Sequence, residues 1–295
     1  MSFFDDIKYK LAQNNAVVKL ITLNVAVYLV FAIAHLLFWL FQATDILDSV
    51  QKLFVLYAAP TNFITHPWGL VTYMFLHSGF FHILFNMLWM YWLGMLLHEY
   101  LGNARVYQIY FLGGIGGGLL YLLFYNVFPV FKDALPDSYA LGASAGVLAM
   151  VTAAATLLPQ YTVMLFGVFA VQLRYIAIFS VLIDLLNIPS SNAGGRIAHL
   201  GGALAGYLFI KYLYTNNAFT NAIHSVSSFF GNIFKPKSKL TIHHKGESKN
   251  RPITANNINK PNQADIDAIL DKISKSGYES LSMAEKELLF KASKD

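Results

Sequence analysis

Residues 77–98 read HSGFFHILFNMLWMYWLGMLLH, a stretch with no Asp, Glu, Lys or Arg. A helix crossing the roughly 30 Å hydrocarbon core of a bilayer needs about 20 predominantly apolar residues, so residues of about 78–98 read as a membrane span. Within it, His82 and Asn86 are four residues apart and share one helix face. Polar groups inside a span are expensive and point to a functional or packing role.

Working outward, five more apolar runs appear at about 17–41, 106–128, 142 to just before Pro159, 173–189 and 197–215. The 295-residue chain is 56% hydrophobic and only 13% charged, against about 25% charged for an ordinary soluble domain. The expectation is an all-α membrane protein, a bundle of six transmembrane helices with a small helical tail. Three regions follow: a membrane domain over 1–215, an amphipathic surface segment with a flexible linker over 216–262, and a short helical hairpin over 263–295.

Orientation follows from the excess of Lys and Arg that cytoplasmic loops carry. With the N-terminus in the cytoplasm, the inner segments hold Lys8, Lys10, Lys19, Arg105, Arg174 and Lys211, and the outer loops hold Lys52, Lys132 and Arg196. Both termini are therefore expected inside. The N-terminal MSFFDDIKYK has acidic residues and no Ala-x-Ala cleavage site, and reads as a retained end before an uncleaved span. The net charge of +5 arises mainly in the tail. It fits an anionic membrane surface better than nucleic acid, for which no base-reading motif is present.

Residues 42–76 read as a long, partly apolar outer loop, and 159–174 as an apolar segment along the inner interface. In the tail, Phe219, Ala222, Ile223, Val226, Phe230 and Ile233 recur at helical spacing, as in a surface-lying amphipathic helix. Residues 240–262 read as a linker. Ile266, Ile269, Leu270 and Ile273 make an apolar helix face, which Gly277 ends, and Ser282 with Glu285 forms a capping box for a second helix.

Three polar clusters open alternate spans: His82 and Asn86, then Gly142-Ala-Ser144-Ala-Gly146, then His199-Leu-Gly-Gly202-Ala-Leu-Ala-Gly206. With the N-terminus inside, these spans all run from outside to inside, so the clusters gather in one outer layer of the membrane. A serine needs a base to become a useful nucleophile, and neutral His199 can take the hydroxyl proton and return it to a leaving amine. His199, Gly202 and Gly206 share a face, and small residues there allow close helix approach, expected to bring His199 within hydrogen-bond reach of Ser144. Asn86, His82 and the Ser144 backbone N–H are suitable donors to an oxyanion.

The ordered set His77-x4-His82-x3-Asn86, Gly142-x-Ser144 and His199-x2-Gly202-x3-Gly206 resembles the rhomboid intramembrane protease family, over residues of about 60–215. The resemblance implies a Ser144–His199 dyad without an acidic member, with His82 and Asn86 at the oxyanion. It implies membrane proteins with a single transmembrane helix as substrates, cut near their outer end. A bacterial inner membrane is the expected location, from a short N-terminus without transit-peptide character and in part from the resemblance; the tail resembles extensions of some bacterial members. Two positions depart from the family pattern. Leu148 stands where an aromatic residue often packs on the histidine, and Gly69 stands where a basic residue often follows the tryptophan, here Trp68.

Taken singly, each feature has a plainer reading: Ser144 as a small packing residue, His199 as a packing or interfacial histidine, and His82 with Asn86 as interhelical hydrogen-bond partners. Gly142 and Gly146 serve helix packing as well as placement of the serine. The G-x-S-x-G pattern lacks the strand that a hydrolase elbow requires, and the glycine run 113–118 does not satisfy the dinucleotide fingerprint. His77 and His82 lack the spacing of a zinc protease, and the adjacent His243 and His244 read as solvated. No cofactor or metal is expected, and the sequence leaves the oligomeric state open. Asp184, an acid within the fifth run, needs a partner. A catalytically inactive membrane-protein binder and a small transporter are the competing readings. The transporter would want polar residues spread through the midplane.

Overall fold

The computed structural model describes residues 15–165, 168–190, 192–213 and 263–276, with isolated positions between 280 and 292. The chain divides into two compact units, Met1–Pro236 and Lys237–Asp295.

The first described element of the first unit is α1, Ala16–Leu40. Asn15 caps it, its side-chain oxygen accepting from the N–H groups of Val17 and Val18 at 2.9 and 3.2 Å, and Asn103 Oδ1 accepts from Ala16 N–H at 2.7 Å. Its first turns are buried, while Val30, Ile33 and Trp39 farther along are exposed. An apolar surface of this kind suits lipid and would be a liability in water.

Residues 42–76 are more ordered than the loop expected there. They form α2 (Thr44–Lys52), β1 (Leu56–Tyr57), α3 (Pro60–Thr65), α4 (Gly69–Thr72) and a 3₁₀ turn, Tyr73–Phe75. Backbone groups account for the order. Trp68 Nε1–H donates to the Leu53 carbonyl and Thr72 Oγ1 to that of Phe54, both at 2.7 Å. β1 pairs antiparallel with β2, Tyr139–Ala140.

The second and third apolar runs are two helices, described together as α5 (Phe80–Val127), that meet at Gly102, whose φ of 77° with ψ of 175° favours glycine. Then come α6 (Ser144–Leu157), an antiparallel hairpin of β3 (Thr162–Leu165) and β4 (Phe169–Gln172), α7 (Leu173–Leu186) and α8 (Ala193–Leu213). The hairpin is the form taken by residues 162–172 of the apolar segment 159–174. Its β-branched Thr162, Val163 and Val171 favour strands, and pairing satisfies backbone groups that an apolar setting cannot. Among the described residues the fold is thus mostly helical, with two short strand pairs.

α6 is the centre of the unit: every residue from Ala145 to Ala155 is buried. It packs against α5 and α8, which also pack on each other, and α7 packs on α6 and α8. A Cβ at Gly202 would strike the Ala145 carbonyl and one at Gly206 the Ala149 carbonyl. Thr152 Oγ1 donates to the Ala203 carbonyl at 2.9 Å. The glycine run of α5 has the same purpose, since a Cβ at Gly117 would lie 2.5 Å from the Ala198 oxygen and 2.6 Å from Ala145 Cβ. α1 and α5 are long and apolar enough to cross a membrane, and α6 is a shorter apolar helix of 14 residues.

In the second unit, α9 spans Gln263–Ser276. Of its expected apolar face, Ile269 is buried and Leu270 is half exposed. The capping box forms: Ser282 N–H donates to Glu285 Oε2 at 2.7 Å and Glu285 N–H to Ser282 Oγ at 3.4 Å. Lys272 Nζ lies 2.8 Å from Glu285 Oε1. The Lys272 hydrogen bond, with those from Ser282, draws the Glu285 carboxyl down to about 2. The amphipathic run from Phe219 to Ile233 and the linker 240–262 lie outside the described residues.

Candidate active site

Gly142 sets the geometry around the serine. Its φ of +130° lies where side chains other than glycine are strained, and its N–H donates to the Tyr73 carbonyl at 2.8 Å. The turn makes Ser144 the first residue of α6. A helix leaves the N–H groups of its first turn without internal partners and concentrates positive potential there. A Cβ at Gly142 would lie 3.0 Å from His82 Cε1, 3.1 Å from His82 Nε2 and 3.5 Å from Ser144 Oγ. The imidazole and the hydroxyl therefore both border the space that a side chain at 142 would fill. Gly146, one turn-length on, lets α6 lie against Tyr110, whose Cδ2 and carbonyl oxygen are 2.8 Å from its Cβ position.

His82 and Asn86 project from the first turns of α5. Ser78 Oγ lies 3.1 Å from His82 Nδ1, and the Ser78 N–H donates to the same nitrogen at a long 3.5 Å. A backbone N–H can only donate. Nδ1 is therefore the acceptor, and Nε2, beside Gly142 and Ser144, carries the proton. Asn86 is buried, and one of its amide hydrogens is donated to the His82 carbonyl at 2.8 Å.

His199 lies in the second turn of α8. Its Nδ1 is 2.9 Å from Asp184 Oδ2 on α7, and Arg196 Nη1–H donates to Asp184 Oδ1 at 3.4 Å. Among the described residues the Ser144 hydroxyl has no hydrogen-bond partner. The contact with His199 expected from the close approach of α8 and α6 is not formed, and the ring is bonded to Asp184. Ser144, His199, His82, Asn86 and Asp184 nevertheless line one cavity of about 520 Å³, with Phe81, Phe85 and Trp89 on one wall and Ser180 on another.

A sequence profile of the Rhomboid domain matches residues 65–216, which contain this cavity whole. The chain belongs to the rhomboid family. A second profile, for a family of unknown function (DUF6576), matches residues 256–295. Among curated proteins, RHOMBOID-like protein 7 of Arabidopsis thaliana is 31% identical over 172 residues, 58% of this chain and 50% of its own length. RHOMBOID-like protein 1 of the same plant is 31% identical over 142 residues, 48% of this chain and 33% of its own. Inactive RHOMBOID-like protein 8 is 33% identical over 82 residues, 28% of this chain and 23% of its own. The chain thus spans between a third and a half of the length of the first two relatives.

This rhomboid is an integral membrane protein. Its His77, in the turn before α5, is buried with its ring edge-on to that of His82, centroids 5.1 Å apart. Gly69 has a steric reason to be glycine, because a Cβ there would collide with the Val55 carbonyl. Leu148 lines the cavity. Among the described residues, no group of three or more His, Asp or Glu side chains could hold a metal. The partner of Asp184 was not legible in the sequence. An intramembrane acid signalled that a partner exists, but His199 is 15 positions away on a different helix.

Proposed function

We propose that this rhomboid is an intramembrane serine protease, in which Ser144 is the nucleophile and His199 its base. The observation that carries this reading is the convergence of Ser144, His199, His82 and Asn86, from three helices, on one cavity. In the reaction, the Ser144 Oγ–H proton passes to His199 Nε2 as Oγ bonds the scissile carbonyl carbon. The oxyanion is met by the His82 Nε2–H, the remaining Asn86 N–H and the first-turn amides of α6. Preorganised donors of this kind act most strongly where water is excluded. The tetrahedral species collapses, the C–N bond breaks, and the leaving amine takes the proton from His199. Water then hydrolyses the acyl-enzyme, with His199 again as base.

The substrate class is proposed to be proteins with a single transmembrane helix, cut near the outer end. The cavity supports sideways access, because its walls come from the start of α5 on one side and α7 on the other. A bound helix must unwind to expose a peptide bond, so small residues at the cut and helix breakers below it should favour cleavage. The proposed frame has six spans, both termini in the cytoplasm, and three regions: 1–215, 216–262 and 263–295. The proposed location is a bacterial inner membrane; the plant relatives lend that location no support.

The competing reading is a rhomboid that binds membrane proteins without cutting them, and one matching relative is named inactive. Ser144 and His199 in one cavity favour cleavage. Purified wild type, Ser144→Ala and His199→Ala should be incubated in lipid vesicles with a fluorescent single-span substrate. Cleavage by wild type alone is expected. Equal cleavage by all three would sink the assignment.

A further inference from the structure

We propose that Asp184 is a positioning residue for His199, holding the imidazole in the tautomer and orientation that general-base chemistry on Ser144 requires. The inference rests on the protease reading above, and adds an acidic member to what the family resemblance implies is a serine–histidine pair.

The contact decides the tautomer. A carboxylate oxygen can only accept, so at 2.9 Å the His199 Nδ1–H donates to Asp184 Oδ2. The proton of a neutral ring is then on Nδ1, and Nε2 is left with the lone pair that a serine proton needs. Nothing else described holds the ring in this way: among the described residues His199 makes no other hydrogen bond and no ring contact. Its helix neighbours across the α6 interface, Gly202 and Gly206, carry no side chain, and Leu148 can offer only dispersion.

Asp184 is itself well placed to hold something. It is only 8% exposed, and an acid so situated in a membrane protein needs partners. Both donors come from α8, three residues apart on one face, and they divide the carboxylate between them, Arg196 on Oδ1 and His199 on Oδ2. The guanidinium takes one oxygen at 3.4 Å and leaves the other to the imidazole at 2.9 Å. An acid that only pinned α7 to α8 would be served by Arg196 alone. The second oxygen instead meets the one imidazole on α8, and that imidazole lines the same cavity as Ser144.

The test uses the full chain in detergent or vesicles, with wild type, Asp184→Asn, Asp184→Glu and the double variant Asp184→Asn/Arg196→Gln. The double variant also removes the other α8 side chain bonded to Asp184, so a loss through a disturbed Arg196 separates from a loss of positioning. Two readouts are taken: the rate at which a fluorophosphonate labels Ser144, and the His199 tautomer by 15N NMR. Asparagine can donate to Nδ1 and so favour the wrong tautomer. Labelling and kcat are therefore expected to fall by ~10²–10⁴-fold in Asp184→Asn and in the double variant, with the NMR signal moving from Nδ1–H to Nε2–H. KM should stay nearly constant, and Asp184→Glu should recover part of the rate.

Labelling within about threefold of wild type in the double variant, or a slower rate with the tautomer unchanged, would overturn the proposal. A wild type that neither labels nor cleaves sinks the protease reading and this inference with it. A labelled wild type beside an equally labelled Asp184→Asn sinks this inference alone.

Discussion

At the residue scale, the roles proposed for His82 and Asn86 make a sharp kinetic claim. If both donate to an oxyanion, they act in the transition state and not in ground-state binding. His82→Ala and Asn86→Ala are each expected to lower kcat by ~10²–10³-fold, about 2.7–4 kcal/mol of barrier, with KM little changed. A raised KM with unchanged kcat would assign them to substrate binding instead. The identities of these residues were legible because polar side chains are rare in membrane spans and their order along the chain is distinctive. Their finer chemistry was not. The His82 tautomer depends on Ser78, whose N–H and hydroxyl face Nδ1. Likewise the partner of His199 depends on the register of α7 against α8, which no local pattern in 173–213 encodes.

At the element scale, the packing of α8 on α6 was legible in the spacing of Gly202 and Gly206, since small residues four apart let helix backbones approach. The structure adds what they approach, the carbonyls of Ala145 and Ala149. Gly202→Val should therefore destabilise the unit by about 1–3 kcal/mol, the usual penalty of overpacking, and lower its thermal midpoint in detergent. The contrast is Gly79→Ser. No atom lies within 4 Å of its Cβ position, its φ is an ordinary extended 179°, and it caps α5. Serine is favoured at such a cap, so a neutral or slightly raised midpoint is expected. If both variants melt like wild type, the close approach of α6 and α8 is not what holds the unit together. The β3–β4 hairpin was less legible, because an apolar run such as 162–172 fits an interfacial segment, a helix or a strand equally well until backbone pairing is seen.

At the scale of the whole molecule, the orientation in the membrane decides whether the cavity can meet the outer ends of the proposed substrates. The apolar runs and the Lys and Arg distribution were legible from composition, whereas α6 and α7, at 14 residues each, span only about 21 Å as helices. Such short elements leave the membrane boundaries to be set by their longer neighbours α1 and α5, and sequence windows blur them. The chain contains no cysteine, so single introduced thiols report their own position without background. Ala104, just past the break in α5, and Lys132, in the segment between α5 and α6, are both exposed. With both termini in the cytoplasm, they fall on opposite sides of the membrane. Lys132→Cys is expected to react with a membrane-impermeant maleimide in intact cells, and Ala104→Cys only after permeabilisation. The cavity lies at the end of α6 nearest Lys132 in sequence, so that pattern puts Ser144 toward the outer face. The reverse pattern would put it toward the cytoplasm, and the choice of substrates cut near their outer ends would have to be abandoned.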